Sequence, residues 1–312
     1  MRTCYIHIGM PKTGSTSIQN AFLGYADDGL EYARIANRNH TATVVAKFTR
    51  TPEKTRALRL VGPRKRAKLL AMRRAEFDAT LNTDKSLIYS GEGIARQLGP
   101  GEIAEMLGFF RARFDRVVVI AYVRPMASLV GSQFQQEVKM GRRRLRFSPP
   151  LYRKTIAPIL KQVAREDLHL VRFDRKDLID GDIVRDFAHR VGAERVPAED
   201  LVSNTSLSAE AVGAMMLFNR YIGRFIPARL RERVHIKLSQ WLQGAGAVKF
   251  GLGTALIEAQ IEKHADEIAW LEQKAGFDMK GEIKTVPDPI EREADLFRMA
   301  RRILGGGGRP EG

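Results

Sequence analysis

The chain has 312 residues, 44% of them apolar and 28% charged, which suits one large α/β domain with a sizeable core, or two small ones, and excludes a disordered chain. No run of 18 apolar residues occurs, so no transmembrane helix is expected, and the single cysteine, Cys4, rules out an internal disulfide and a cysteine-built metal site. With 52 Lys and Arg against 36 Asp and Glu, the net charge is +16, which calls for an anionic partner: nucleic acid, anionic lipid, acidic polysaccharide or a phosphorylated nucleotide.

Met1-Arg2-Thr3 leads straight into a short β-prone run from Cys4 to Ile8. No small-residue cleavage site follows an apolar run, so no signal peptide and a cytoplasmic location are expected. A Gly/Pro loop comes next, and Thr16 to Leu23 has the spacing of a helix, with Ile18, Ala21 and Phe22 on one face. Residues 52–82 read as helical with a break at Gly62-Pro63. Nine Lys and Arg, and no acid, fall between Lys54 and Arg74, and a second basic cluster runs Lys139, Arg142, Arg143, Arg144, Arg146. Ser86 to Ser90 reads as a strand and Glu102 to Phe114 as a helix. Arg116 to Val123 is a near-continuous apolar run, as expected of a strand buried on both faces of a parallel sheet. Pro125 ends it, and Met126 to Met140 resumes as a helix. A helix over Tyr152 to Ala164, a strand over His169 to Phe173 and a helix over Ile183 to Val191 follow. From about residue 206 the pattern is helical only.

Strands alternating with helices imply right-handed crossovers and a central parallel sheet covered on both faces. The expected fold is therefore α/β, a P-loop-containing three-layer arrangement with a helical C-terminal part. No repeat or clear linker interrupts it, so we expect one domain over residues 1–304 and a flexible glycine-rich tail over 305–312.

The segment Gly9-Met-Pro-Lys-Thr-Gly-Ser-Thr-Ser17 has the composition of a phosphate cradle. It joins a buried strand to a helix start, where backbone N–H groups are unpaired. Gly9 and Gly14 allow close backbone approach. Ser15, Thr16 and Ser17 add hydroxyls, and Lys12 adds a cation. A Walker A loop would need lysine where Ser15 stands; here the lysine comes three residues earlier. The Pro11-Lys12-Thr13-Gly14-Ser15-Thr16 string instead resembles the 5'-phosphosulfate loop of sulfotransferases that use 3'-phosphoadenylyl sulfate (PAPS). The resemblance implies that Pro11 to Ser17 hold the nucleotide and that Lys12 stabilises the leaving group.

Sulfotransferases also place an arginine at a buried strand end and a serine eight residues later, both on the 3'-phosphate. Arg124 and Ser132 have that spacing, with Ser128 a weaker candidate one turn earlier. Arginine suits the role because it forms paired, charge-assisted hydrogen bonds to phosphate. Leu170-Val-Arg-Phe-Asp-Arg-Lys-Asp-Leu178 and Asn204-Thr-Ser-Leu-Ser208 look like segments of bacterial carbohydrate-type members, although a serine N-cap also explains part of the second. The Arg-Lys-Gly nucleotide segment of the small-molecule members has no counterpart here.

Sulfuryl transfer needs a base for the acceptor's proton. Glu92, in Ser90-Gly-Glu-Gly93 after the second predicted strand, falls on the same sheet edge as the loop and resembles a segment of bacterial members. His7, inside the first strand, is the rival base, although a histidine there is more often part of the core. The remaining histidines lack metal-ligand spacing, and no metal is expected. The resemblance implies PAPS as donor and a hydroxyl or amine acceptor, with a carbohydrate or glycoconjugate favoured by the group and by the basic clusters. Two other readings stay open: a P-loop nucleotide kinase-like phosphotransferase, against which Ser15 and the Arg124/Ser132 pair argue, and a basic nucleic-acid-binding protein, for which no recognition motif is present.

Overall fold

The structure, a computed structural model of the chain, describes residues 1–55, 58–197 and 206–305. Asn204 and Thr205 of the carbohydrate-type segment lie outside the described residues, as does the expected tail from residue 306 onward. The chain divides into two compact units. One comprises Met1–Arg124, Leu151–Val202 and Gln273–Phe277; the other comprises Pro125–Pro150, Ser203–Glu272 and Asp278–Gly312.

The first unit holds a five-stranded parallel sheet: β1 (Thr3–His7), β2 (Leu30–Tyr32), β3 (Ser86–Ser90), β4 (Arg116–Val123) and β5 (Leu168–Arg172), in the spatial order β2-β3-β1-β4-β5. Every pairing is parallel, as the alternation of strands and helices requires. The period-2 alternation of strands sorts side chains onto two faces. Ile88, Val118, Ile120, Tyr122 and Val171 pack with Ile18 and Phe22 of the Ser15–Ala21 helix and its C-cap, and with Val184 and Phe187 of the Ile183–Val191 helix. Tyr89 points the other way. Its ring centroid lies 5.5 Å from Phe77 of the Pro63–Ala79 helix and 5.0 Å from Phe110 of the Pro100–Arg111 helix. Each such buried ring contributes about 1.5–3 kcal/mol. Helices on both faces make three layers, the expected α/β fold.

The strand β4 is buried from Val117 to Val123. Its one polar intruder, the Tyr122 hydroxyl, donates to Asp186 Oδ1 at 2.7 Å, and Arg190 donates to the same carboxylate at 2.5 Å, so no buried polar group is stranded there. Several short elements add to those expected from the sequence, among them a four-residue helix over Ile94–Gln97. The strand β2 is only three residues long, and a helix spans Thr41–Phe48.

The second unit contains helices Met126–Lys139, Ala209–Tyr221, Ala228–Trp241, Thr254–Lys263 and Glu293–Leu304 among its described residues. Ser208 caps the second of these, its hydroxyl accepting from the Ala211 N–H at 3.0 Å. That helix and Glu293–Leu304 cross closely: a Cβ on Gly213 would stand 2.1 Å from the Leu296 carbonyl oxygen, so only glycine fits. Among the described residues no helix is long and apolar enough to cross a membrane.

Candidate functional site

The chain direction is the same in all five strands, so their C-terminal ends share one edge. Adjacent strands β3, β1 and β4 deliver three segments to it: Gly91-Glu92-Gly93, the Gly9–Gly14 loop, and Arg124. From β1 the chain runs to β2 at one edge of the sheet, whereas from β4 it runs to β5 at the other, so the switch point lies between β1 and β4, and such points are where open α/β sheets bind ligands.

The loop is held in an unusual backbone. Lys12 has φ 65° and Gly14 has φ 75°, both left-handed. Glycine adopts that conformation freely, whereas for lysine it costs about 1–2 kcal/mol and needs a compensating contact. Arg124 supplies one, its guanidinium donating to the Lys12 carbonyl at 2.8 Å. Thr13 supplies a second restraint: its buried hydroxyl donates to the Met10 carbonyl at 2.8 Å. Phe173 and Ile183 back the loop, standing 3.1–3.2 Å from where a Cβ on Gly14 would be.

Two features leave polar capacity in the loop. Gly14 N-caps the helix without a side-chain bond, and the N–H groups of Gly14, Ser15 and Thr16 find no acceptor among the described residues. The Ser15 hydroxyl is buried and also without a partner. A Cβ on Gly9 would lie 2.1 Å from that hydroxyl and 2.8 Å from Glu92 Cγ, so the Gly9 backbone, Ser15 and Glu92 meet at one point that admits no side chain. Pro11, Thr16 and Ser17 line the same loop, half-buried.

Glu92 is half-buried, and burial raises its carboxyl pKa above the usual range, with the charges of Arg96 and Lys12 and the Ser15 hydroxyl pulling it back. The hydroxyl is close enough to favour the carboxylate, yet no hydrogen bond of good geometry closes between them. A carboxyl held this way takes up a proton more readily than an exposed one. The turn that carries it is fixed from behind. Gly91 donates to the His7 carbonyl at 2.9 Å, and Gly93 donates to the Thr41 hydroxyl at 2.9 Å. A Cβ on Gly91 would stand 2.6 Å from that Thr41 hydroxyl, so the start of the Thr41–Phe48 helix shapes the Glu92 turn. Sequence reading missed this helix.

His7 lies elsewhere in character. It is fully buried, its Nδ1 sits 2.8 Å from the Ser90 hydroxyl, and its ring packs against Tyr122 and Phe187. Burial drives its pKa down to about 3, so it stays neutral. Gln19 donates to the same Ser90 hydroxyl at 3.2 Å, and the Ser90 N–H donates to His40 Nδ1 at 3.3 Å. This buried network supports the ends of β1 and β3.

Arg124 is half-buried, its guanidinium 5.6 Å from the Phe173 ring centroid, and burial lowers its pKa. Its carbonyl accepts from the Tyr152 hydroxyl at 2.7 Å. The first unit thus brings Lys12, Gly14, Ser15, Glu92 and Arg124 to one edge. Ser132 and Ser128 lie on the Met126–Lys139 helix of the second unit, Ser132 half-buried and Ser128 exposed. Among the described residues no group of three or more His, Cys, Asp or Glu is placed to hold a metal ion.

No family model and no curated protein matches the chain. Three solved structures are similar to it. A sulfotransferase from Alicyclobacillus acidocaldarius shares 13% identity over 89% of this chain and 97% of its own, with a TM-score of 0.42. The sulfotransferase domain of the Synechococcus PCC 7002 olefin synthase shares 13% identity over 78% and 94%, with a TM-score of 0.37. The sulfotransferase domain from the curacin biosynthetic pathway shares 14% identity over 97% and 98%, with a TM-score of 0.35.

Proposed function

We propose that the chain is a PAPS-dependent sulfotransferase, residues 1–304 acting as one domain, and that its acceptor is a hydroxyl on a carbohydrate or glycoconjugate. The observation that carries the reading is the loop itself. Left-handed Lys12 and Gly14, unpaired N–H groups and an orphaned buried Ser15 hydroxyl converge beside Glu92. A buried polar group without a partner costs about 1–3 kcal/mol, and a phosphate oxygen at this point offsets that cost.

In this reading Pro11 to Ser17 hold the 5'-phosphosulfate through backbone N–H groups and the Ser15, Thr16 and Ser17 hydroxyls. The donor supplies an activated sulfuryl group, which leaves the bridging phosphate oxygen and bonds to the acceptor oxygen. Lys12 neutralises the charge that grows on that bridging oxygen, as preorganised cations do in the related, loose phosphoryl transfers. Glu92 takes the acceptor's proton. Arg124 binds the 3'-phosphate, and Ser132, eight residues on in the sequence, is the second candidate for it. Because Arg124 also donates to the Lys12 carbonyl, occupancy of the 3'-phosphate site bears on the leaving-group lysine. The site asks for no metal.

Calorimetry with adenosine 3',5'-bisphosphate, adenosine 5'-monophosphate and ATP tests the nucleotide. The bisphosphate binds tightest, and removing its 3'-phosphate weakens it by about tenfold or more. ATP binding equal to or tighter than the bisphosphate overturns the reading in favour of a kinase-like enzyme. Radiolabelled donor screened against polysaccharide, oligosaccharide, lipid and phenol acceptors tests the acceptor class; transfer to phenols alone refutes the carbohydrate assignment.

A further inference from the structure

The second unit carries an exposed surface that is both aromatic and basic. The Ala209–Tyr221 helix ends in a short turn, Gly223–Phe225, and the chain then enters the Ala228–Trp241 helix. Phe225 is 72% exposed, Trp241 71%, Tyr221 57%, Ile222 56% and Ile236 52%. These side chains do not belong to a frayed end. The turn adjoins the helix, since a Cβ on Gly223 would stand 3.7 Å from His235 Nε2, and the His235 ring lies 6.3 Å from Phe218. Arg231 donates to the Ile226 carbonyl at 3.2 Å and ties the two together. Along the helix, Leu230, Lys237 and Trp241 recur at the spacing of one face.

The same segment is strongly basic. Tyr221 to Trp241 contains five Lys and Arg and a single acid, Glu232. Arg224, Arg233 and Lys237 are exposed, and the Arg224 guanidinium sits 4.5 Å over the Phe225 ring. Large exposed apolar side chains interleaved with cations have few suitable partners. A soluble polyanion satisfies the charges and leaves the rings wet. A second copy of the face sets cation against cation. A layer of anionic headgroups over acyl chains takes both, because aromatic rings settle at the interface while Lys and Arg meet lipid charges.

We propose that this face docks the protein peripherally on an anionic lipid bilayer, with Phe225 and Trp241 entering the headgroup region and Arg224, Arg233 and Lys237 facing the lipid anions. Vesicle binding can be read without any assay of activity. Trp241 and Trp270 are the only two tryptophans, so Trp270→Phe leaves Trp241 as sole reporter. With vesicles of phosphatidylcholine and phosphatidylserine at low salt, Trp241 emission shifts to the blue and is quenched by brominated acyl chains; pure phosphatidylcholine gives neither effect. In co-sedimentation of the full chain, Phe225→Ala with Trp241→Ala lowers the partition coefficient by about tenfold or more. The charge-reversed pair Arg233→Glu and Lys237→Glu, exposed residues whose replacement leaves the core untouched, lowers it as well. Unshifted Trp241 emission in vesicle-bound protein overturns the proposal, as does undiminished partition of either variant. So does a dimer in sedimentation velocity that Phe225→Ala with Trp241→Ala dissociates while vesicles are not bound. Preferential binding of a sulfated polysaccharide through the same residues, without vesicle binding, assigns the face to a soluble polyanion instead.

Discussion

The turn after β1 and the turn after β4 both lead from a buried strand, past a proline, into a helix, yet they dispose of their backbone N–H groups in opposite ways. After β1, Gly14, Ser15 and Thr16 keep N–H groups that no described acceptor meets, and the Ser15 hydroxyl is orphaned beside them. After β4, the protein itself fills the helix start: Met126 donates to the Met279 carbonyl at 2.8 Å, Ala127 to the Lys280 carbonyl at 2.9 Å, and Ser128 to the Pro125 carbonyl at 3.2 Å. Helix starts hold four such donors, and they must go somewhere. The first turn can receive an anion through its backbone. The second can do so only through side chains, with Arg124 and Ser132 as the candidates. In the proposed function one strand end serves as a cradle and the other as a clamp.

Removing the cradle's cation should have the largest effect. Lys12→Ala lowers kcat by about 10²–10³-fold, the loss typical of one preorganised group at a developing charge. Nucleotide affinity falls far less, because the backbone donors remain. Steady-state sulfuryl transfer with radiolabelled donor checks this, and a kcat within about threefold of the parent breaks the cradle reading.

Next comes Glu92→Gln, with a loss of about 10²-fold in kcat. The parent rate rises with pH through the Glu92 pKa, which burial holds above 4.5, and the variant loses that acid limb. Stability moves the other way. The folded chain holds the Glu92 proton more tightly than the unfolded chain does, so stability declines as pH rises from 4.5 through the raised folded value. Glu92→Gln removes that decline. Thermal melts therefore show a higher Tm for the variant at neutral pH and little difference below pH 4.5. A variant that melts lower at neutral pH contradicts the burial argument.

The clamp is sharpened by Arg124→Ala. Affinity for adenosine 3',5'-bisphosphate drops by about 10–100-fold, while adenosine 5'-monophosphate loses much less. Since Arg124 also braces the Lys12 carbonyl, kcat at saturating donor falls too. Equal losses for the two nucleotides would show that Arg124 acts only through the loop backbone.

How much of this the sequence disclosed depended on whether a residue's role was local. The strands β1, β3, β4 and β5 were legible because each is an apolar or β-branched run. The strand β2 was not: it has three residues, and its middle one, Glu31, is a buried acid that disrupts any apolar pattern. The Thr41–Phe48 helix, Thr-Ala-Thr-Val-Val-Ala-Lys-Phe, is rich in β-branched residues, and tertiary packing of Val44, Val45 and Phe48 overrides that propensity. At the site, the glycines, hydroxyls and lysine of the loop are neighbours in sequence and were read together. Arg124 was found by its strand end and by family spacing. Its bond to the Lys12 carbonyl spans 112 residues and leaves no local trace. Neither does the approach of Thr41 to Gly91, which fixes the Glu92 turn.

The smallest expected effect separates two hydroxyls that the sequence presents as equivalent. Thr13 and Ser15 flank Gly14, and both side chains are buried. Thr13 donates to the Met10 carbonyl and closes the loop on itself, whereas Ser15 has no partner. Thr13→Ala therefore strips a buried hydrogen bond and lowers stability by about 1 kcal/mol. Ser15→Ala removes a hydroxyl whose burial is uncompensated, so stability holds or rises slightly. Affinity runs the opposite way: Ser15→Ala weakens adenosine 3',5'-bisphosphate by about fivefold, the worth of one hydrogen bond to an anion, and Thr13→Ala changes it less. Paired chemical denaturation and calorimetry on the two variants give the comparison directly. If both lose stability and neither loses affinity, the Ser15 hydroxyl belongs to the fold, and the cradle rests on backbone N–H groups and Lys12 alone.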